Sequence, residues 1–280
     1  MPSVVDLPLA IVGAALCLHL LGEHRAAALL RRPRSRRARW RAVAFYFALA
    51  TIVVALASPI DTLAQQLFWV HMVQHVLLLG VAAPLIALAA PWMSIWRPMP
   101  LGFRRGLART VIRSPACAPL RWLGNTLAQP APAWVVFNAN LVFWHLPFAY
   151  DETLRSTAVH ALEHLTFVAF GILLWAQVLD SPPLRARLGA VQRVYYMVAA
   201  TAVGWLISLV LAFATTPLYA AYAHLAHRPG GISALADQQL AAGVMLGPGS
   251  LAATVFVFLG LYRWLGQDAT GKPRGHAEYA

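Results

Sequence analysis

The stretch "FWVHMVQHVLLLGVAAPLIALAA", residues 68–90, is an apolar run carrying two histidines four residues apart, His71 and His75. Its length is that of a helix crossing a bilayer, about 20 residues. Polar groups inside a membrane bundle are costly and mark sites where they occur. The length of this run therefore decides the fold class, and its two imidazoles raise the functional question.

The rest of the chain supports the first reading. Of 280 residues, 60% are hydrophobic and 11% charged, with a mean hydropathy of +0.62; a soluble domain carries about 25% charged residues. Apolar runs near span length cover roughly 7–23, 40–57, 67–90, 131–150, 157–179, 194–216 and 240–262, the first being the shortest. Each is expected to be a helix, because an open strand edge cannot be satisfied in lipid. The expectation is an all-α polytopic membrane protein, a bundle of seven transmembrane helices in a single transmembrane domain over 1–280, with the lipid bilayer as its surroundings.

The formal net charge of +12 raises nucleic acid as a partner, and the distribution of that charge excludes it. Eight arginines lie in "HRAAALLRRPRSRRARWR" (24–41) and six more between Trp92 and Gln129. Arg185, Arg187 and Arg193 follow the fifth run, and Arg263, Lys272 and Arg274 follow the seventh. With seven spans, 20 of the 22 basic residues share one side, leaving Arg155 and Arg228 on the other. The positive-inside rule then puts the N-terminus outside and the C-terminus in the cytoplasm. The first run has a basic block after it and none before it, the reverse of a secretory signal, so it is expected to be retained. Cys17 and Cys117 offer neither a disulfide framework nor a C-x-x-C metal site.

Local signals add detail. Segment 92–130 alternates basic and apolar residues, and a surface-lying amphipathic helix is expected near 101–113. Pro84 and the Gly-Pro-Gly at 247–249 should kink or unwind their helices. Segment 217–239, punctuated by Gly and Pro, is placed to cap the bundle.

Five histidines form the candidate site. His71 and His75 share one helix face, as residues four apart do. His145 stands near the exit of the fourth run in "LVFWHLPFAY", and His160 and His164 repeat the spacing in "VHALEH". All five fall within about 15 Å of the outer ends of three sequential spans, at a rise of 1.5 Å per residue. A single intramembrane histidine is ordinarily a packed group, whereas two such pairs and a fifth ring at one level point to a metal or heme site. Imidazole suits zinc, copper, iron and nickel alike. Glu163 is placed to orient a ligating imidazole, Asp61, Asp151 and Glu152 read as solvated, Met72 as packing, and Asp237 borders the bundle. His224 and His227 read as surface residues, while His19, His24 and His276 lie far from the cluster. Residues 160–164 also fit H-x-x-E-H, in which the histidines bind zinc and the acid activates water, so an intramembrane zinc metallopeptidase is one alternative. A b-type heme protein is another.

"HMVQHVLLLGVAAPLIALAAP" (71–91), "WHLPFAYDETLRSTAVHALEHLTFVAFGILLWAQVLD" (144–180) and "LYAAYAHLAHRPGGISALADQQLAAGVM" (218–245), in that order, resemble the CtaG-like membrane-integral family of cytochrome c oxidase assembly factors, over about residues 40 to 265. The resemblance implies a non-catalytic protein of the bacterial cytoplasmic (inner) membrane. It would take copper from the outer side, from extracytoplasmic copper carriers, and deliver it to a metal centre of heme-copper oxidase subunits. It makes His71, His75, His145, His160 and His164 the candidate ligands, with Asp237 as a contributor, and it brings in copper as the metal.

Overall fold

The computed structural model describes residues 6–30, 35–184, 186–225 and 227–269. Arg31, Arg32, Arg34, Arg185, Lys272, Arg274 and His276 lie outside the described residues. The described residues form helices and turns and no β-strand. α1 (Asp6–Leu30) and α2 (Arg36–Ala57) flank the arginine block, and Ser35 starts α2 by accepting the Ala38 N–H. The short α3 (Pro59–Ala64) starts the same way at Ser58, whose hydroxyl accepts from Ile60.

The 68–90 stretch follows in three pieces: α4 (Phe68–Val76), a π-helical turn over Leu77–Ala82, and α5 (Ala83–Ala89). Pro84 accounts for the division. It has no N–H to return to the preceding turn, and its ring crowds that turn. A wide turn relieves the crowding, and the Ala83 N–H reaches back to the Leu78 carbonyl. The kink expected at Pro84 is thus a π turn beginning two residues past His75, a device that recurs at functional sites. The helix stops at Ala90, which is left-handed with φ 48°.

α6 (Trp92–Trp96), α7 (Leu101–Arg113) and α8 (Ala118–Leu127) make up the long connection. The amphipathic helix expected near 101–113 is α7. None of its residues is buried, and Leu101, Phe103, Leu107 and Ile112 are exposed along it. Next come α9 (Pro130–Trp144), α10 (Pro147–Arg155), α11 (Thr157–Ala176), α12 (Ala190–Phe213), α13 (Ala220–Ala223), α14 (Ala234–Leu246) and α15 (Leu251–Ala269).

Among the described residues, six helical stretches are long and apolar enough to cross a membrane: Leu7–Ala28, Arg36–Ala57, Phe68–Ala89, Thr157–Ala176, Ala190–Phe213 and Ala234–Gly266. The chain is a multi-pass membrane protein. The run expected at 131–150 is not among the six. Pro147 holds Leu146 in extended backbone (ψ 135°), as a residue before proline prefers. α9 therefore ends at 15 residues, about 22 Å at 1.5 Å per residue. The last stretch is bent at Gly-Pro-Gly, where α14 gives way to a 3-10 turn over Pro248–Ser250 and then to α15.

Phe68–Ala89 is the axis of the bundle, half buried and more so than the other five. α2 and α11 lie along its α5 half, and α14 lies along α4. The contact with α11 depends on Gly171, where a Cβ would stand 2.9 Å from the Ala83 Cβ and 3.2 Å from Leu79. Small residues allow helices in lipid to approach this closely. Gly171→Val should lower the midpoint of thermal unfolding in detergent, at an overpacking cost of about 1–3 kcal/mol. Gly243→Val, where a Cβ meets nothing within 4 Å, should leave the midpoint nearly unchanged.

Candidate metal centre

The first N–H groups of a helix have no acceptor within the helix, and α4 begins at Leu67, which has no capping side chain. α14 supplies the acceptor. Phe68 and Trp69 donate their N–H groups to the two carboxylate oxygens of Asp237, each at 2.9 Å. A carboxylate at this position also meets the positive end of the helix dipole. The next residue, Gln238, donates to the Leu211 carbonyl of α12 at 3.0 Å and accepts from Leu218 at 2.7 Å. The sequence Asp-Gln thus fixes where α4 starts relative to α14 and α12.

One turn into α4, His71 and His75 present their rings to α11. Their Nε2 atoms are 3.0 Å apart. Glu163 of α11 brings Oε2 to 3.5 Å from His71 Nε2 and Oε1 to 3.4 Å from His75 Nε2. One donor atom each from His71, His75, Glu163 and His164 lies within 4.8 Å of the others, and all four residues are buried. A tetrahedral ion with bonds of about 2.0–2.1 Å spaces its ligand atoms about 3.3 Å apart. His160, a turn before His164, holds its ring tilted, 4.2 Å from that ring and 5.0 Å from the ring of His71, and is partly exposed. His145, just past α9, has its ring 6.3 Å from that of His75.

The hydrogen bonds behind these rings fix which nitrogen is free. Tyr222 gives its single hydroxyl hydrogen to the Ala64 carbonyl. Its 3.3 Å contact with His71 Nδ1 must then have the imidazole as donor. That leaves the His71 Nε2 lone pair aimed at the cluster, the usual arrangement behind a metal-binding histidine. Burial raises the Tyr222 phenol well above its ordinary pKa, so it keeps its proton. His145 donates Nδ1–H to the Leu141 carbonyl at 2.7 Å, leaving Nε2 with a lone pair. Among the described residues, His75 Nδ1, the Nε2 atoms of His145, His160 and His164, and both Glu163 oxygens are buried without a hydrogen-bond partner. Among the described residues, the ion pairs of Glu163 are with histidines alone. A buried carboxylate facing imidazole lone pairs requires a proton or a cation between them, and the donor set fits a metal ion.

Of the residues singled out from the sequence, His71, His75 and His164 meet in one centre. His160 sits at its edge and His145 beside it, while Asp237 lies outside, with both oxygens committed to the start of α4. Glu163, expected behind a ligand, is itself among the donors. Asp151, read as solvated, is buried and accepts the Ala221 N–H at 3.0 Å. Tyr219 donates to the His145 carbonyl at 3.0 Å, so the 217–225 segment is tied down over the site. Sequence reasoning missed Tyr222, because nothing in "LYAAY" marks which tyrosine reaches inward.

The sequence model of a family described as cytochrome c oxidase caa3 assembly factor matches residues 24–267. No curated protein and no solved structure matches the chain.

Asp237→Ala should destabilise the fold by stranding two N–H groups, each worth about 1–3 kcal/mol when buried. Asp237→Asn keeps one acceptor oxygen and should lose about half as much. Thermal unfolding in detergent, with wild type as reference, checks both.

Proposed function

Because this chain belongs to the cytochrome c oxidase caa3 assembly factor family, we propose that it binds copper at His71, His75, Glu163 and His164 and delivers it to an oxidase metal centre. The observation that carries this reading is the convergence of four buried donors, three imidazoles and a carboxylate, with no Lys or Arg paired to them among the described residues. Imidazole suits copper, which heads the affinity order of divalent first-row ions. His160, partly exposed, is where an incoming ion first meets the centre, and exchange then proceeds ligand by ligand. The extracytoplasmic copper carriers and the oxidase subunits stand at the two ends of that exchange.

The proposed topology has seven crossings, with α9 as the fourth, in the bacterial cytoplasmic membrane. Charge supports it. Were α9 not to cross, the arginines of 97–121 and those at 187 and 193 would fall on opposite sides of the membrane; with the crossing they share the cytoplasmic side. A helix this short is accommodated by local thinning of the bilayer. The N-terminus is then outside, and the metal centre lies toward the extracytoplasmic face.

A non-catalytic role fits an assembly-factor family. Glu163 stands among the donors rather than behind them, which favours holding an ion over activating water for a peptidase. Four donors this crowded leave no plane for a porphyrin.

Metal analysis of detergent-purified protein equilibrated with copper should find tightly held copper in wild type and background copper in His71→Ala/His75→Ala. Equal copper in the two would overturn the proposal. Tyr222→Phe should keep the stoichiometry and weaken affinity by about 10–100-fold, the usual cost of removing a group that orients a ligand; competition with a chelator of known affinity measures it.

A further inference from the structure

We infer that α7 and α8 form a platform that lies on the membrane surface and binds the headgroups of anionic phospholipids. This goes beyond copper handling and does not depend on it. The connection that carries the two helices, residues 92–130, holds six arginines and no Asp or Glu. It follows a spanning stretch that ends at Ala89. Its first residues are tied to α1, itself of spanning length: Arg97 donates to the Gly22 carbonyl at 3.3 Å, and Arg25 donates to the Pro98 carbonyl. The platform therefore starts at the edge of the bilayer.

Neither helix is covered by the protein. No residue of α7 or α8 is buried, and α7 packs chiefly on α8 and on the turn over Pro115–Cys117. Arg121 of α8 joins the two by donating to the Val111 and Ser114 carbonyls, each at 2.8 Å. A helix of 13 residues is marginal alone in water, so α7 needs a surface to lie on. Residues four apart share a helix face, and α7 carries two such rows: Phe103, Leu107 and Val111, and Arg105, Arg109 and Arg113. The rows are offset by two residues, a rotation of about 200°, and so lie on opposite sides. Leu120, Trp122 and Leu123 extend the exposed apolar surface onto α8, and tryptophan is enriched where membrane meets water.

Charge names the lipid. Arg97 and Arg121 are bonded to backbone carbonyls. Among the described residues, Arg104, Arg105, Arg109 and Arg113 have no acidic partner. Arg104 flanks the apolar row with its Nε buried and unpartnered, and an arginine stem is long enough to carry the guanidinium to lipid phosphates. A preference for positive charge on one side of the membrane is met by arginines anywhere in the connection. It does not call for a charged row set against a bare apolar row, which is the pattern of a helix lying in the interface of an anionic membrane.

The test compares the full chain in nanodiscs of phosphatidylcholine and in nanodiscs that also contain phosphatidylglycerol, and reads amide hydrogen exchange over 101–127. Phosphatidylglycerol should slow exchange in α7 by about tenfold or more at low salt, since each arginine near an anionic surface contributes. High salt should remove the difference by screening. Arg105→Gln/Arg109→Gln/Arg113→Gln, which keeps good helix formers, should lose the slowing, as should Phe103→Gln/Leu107→Gln. Arg36→Gln/Arg37→Gln/Arg39→Gln removes the same charge from the start of α2 and should leave it intact. Equal exchange of wild type in the two lipids would overturn the inference, and if α7 is unprotected in both, its apolar row is left for a protein partner instead. Slowing that survives the α7 triple variant, or that the α2 variant removes equally, would overturn it as well.

Discussion

A carboxylate with no exposure to solvent, facing imidazoles inside a membrane bundle, is the constraint around which this structure is arranged. Burying an ion costs several kcal/mol after relaxation, and lipid offers no water to lower that figure. Glu163 is tolerable only if positive charge is supplied locally, by a proton or a cation held between its oxygens and the Nε2 atoms of His71 and His75. The separation of α4 and α11 is therefore fixed by chemistry at one end and by sterics at the other. Near their starts, donor atoms must meet within 3–4 Å. Further along, where α11 lies on α5, the absence of a side chain at Gly171 lets the backbones close.

The rest of the site follows from making that approach reproducible. Asp237 sets the first residue of α4 and hence the rotation that turns His71 and His75 toward α11. The π turn past His75 absorbs the disturbance from Pro84, so the register of α5 against α2 and α11 need not be the register of α4. Tyr222, Tyr219 and Asp151 bring the 217–225 segment down onto the rings and select a tautomer for His71. The bonds of Tyr219 and Asp151 join side chain to backbone and that of Tyr222 joins two side chains, all between distant parts of the chain. They order loops that lack the composition to order themselves, and that role is separate from ligation.

What the sequence made legible divides along the same line. The long apolar runs and the paired histidines at i,i+4 are periodic signals within one helix, and they survive folding nearly unchanged. α9 came out shorter than its apolar run because hydropathy does not register Pro147. The resemblance makes Asp237 a contributor to the ligand set, whereas in the structure both its oxygens cap α4; an acid at the mouth of a bundle has the same one-letter code in either role. The distinction lies in the unpaired N–H groups of Phe68 and Trp69, which are 168 and more residues away. Tyr222 was illegible for the same reason: its partners, Ala64 and His71, become neighbours only once the bundle closes.

Charge balance bears on which ion such a centre suits. Three imidazoles bound through lone pairs are neutral, so Glu163 supplies a single negative charge. A divalent ion would leave one uncompensated positive charge in the low dielectric of the bundle, at the cost that makes intramembrane charges rare. A monovalent ion would leave none. Donor hardness alone would rank zinc and divalent copper ahead of Cu(I) for imidazole and carboxylate, whereas electrostatics in a membrane moves the preference toward Cu(I). The two effects oppose each other, and the second grows as water is excluded. Every donor in the centre except the neighbouring His160 is closed off from solvent, so on the copper reading the site selects by charge before it selects by softness.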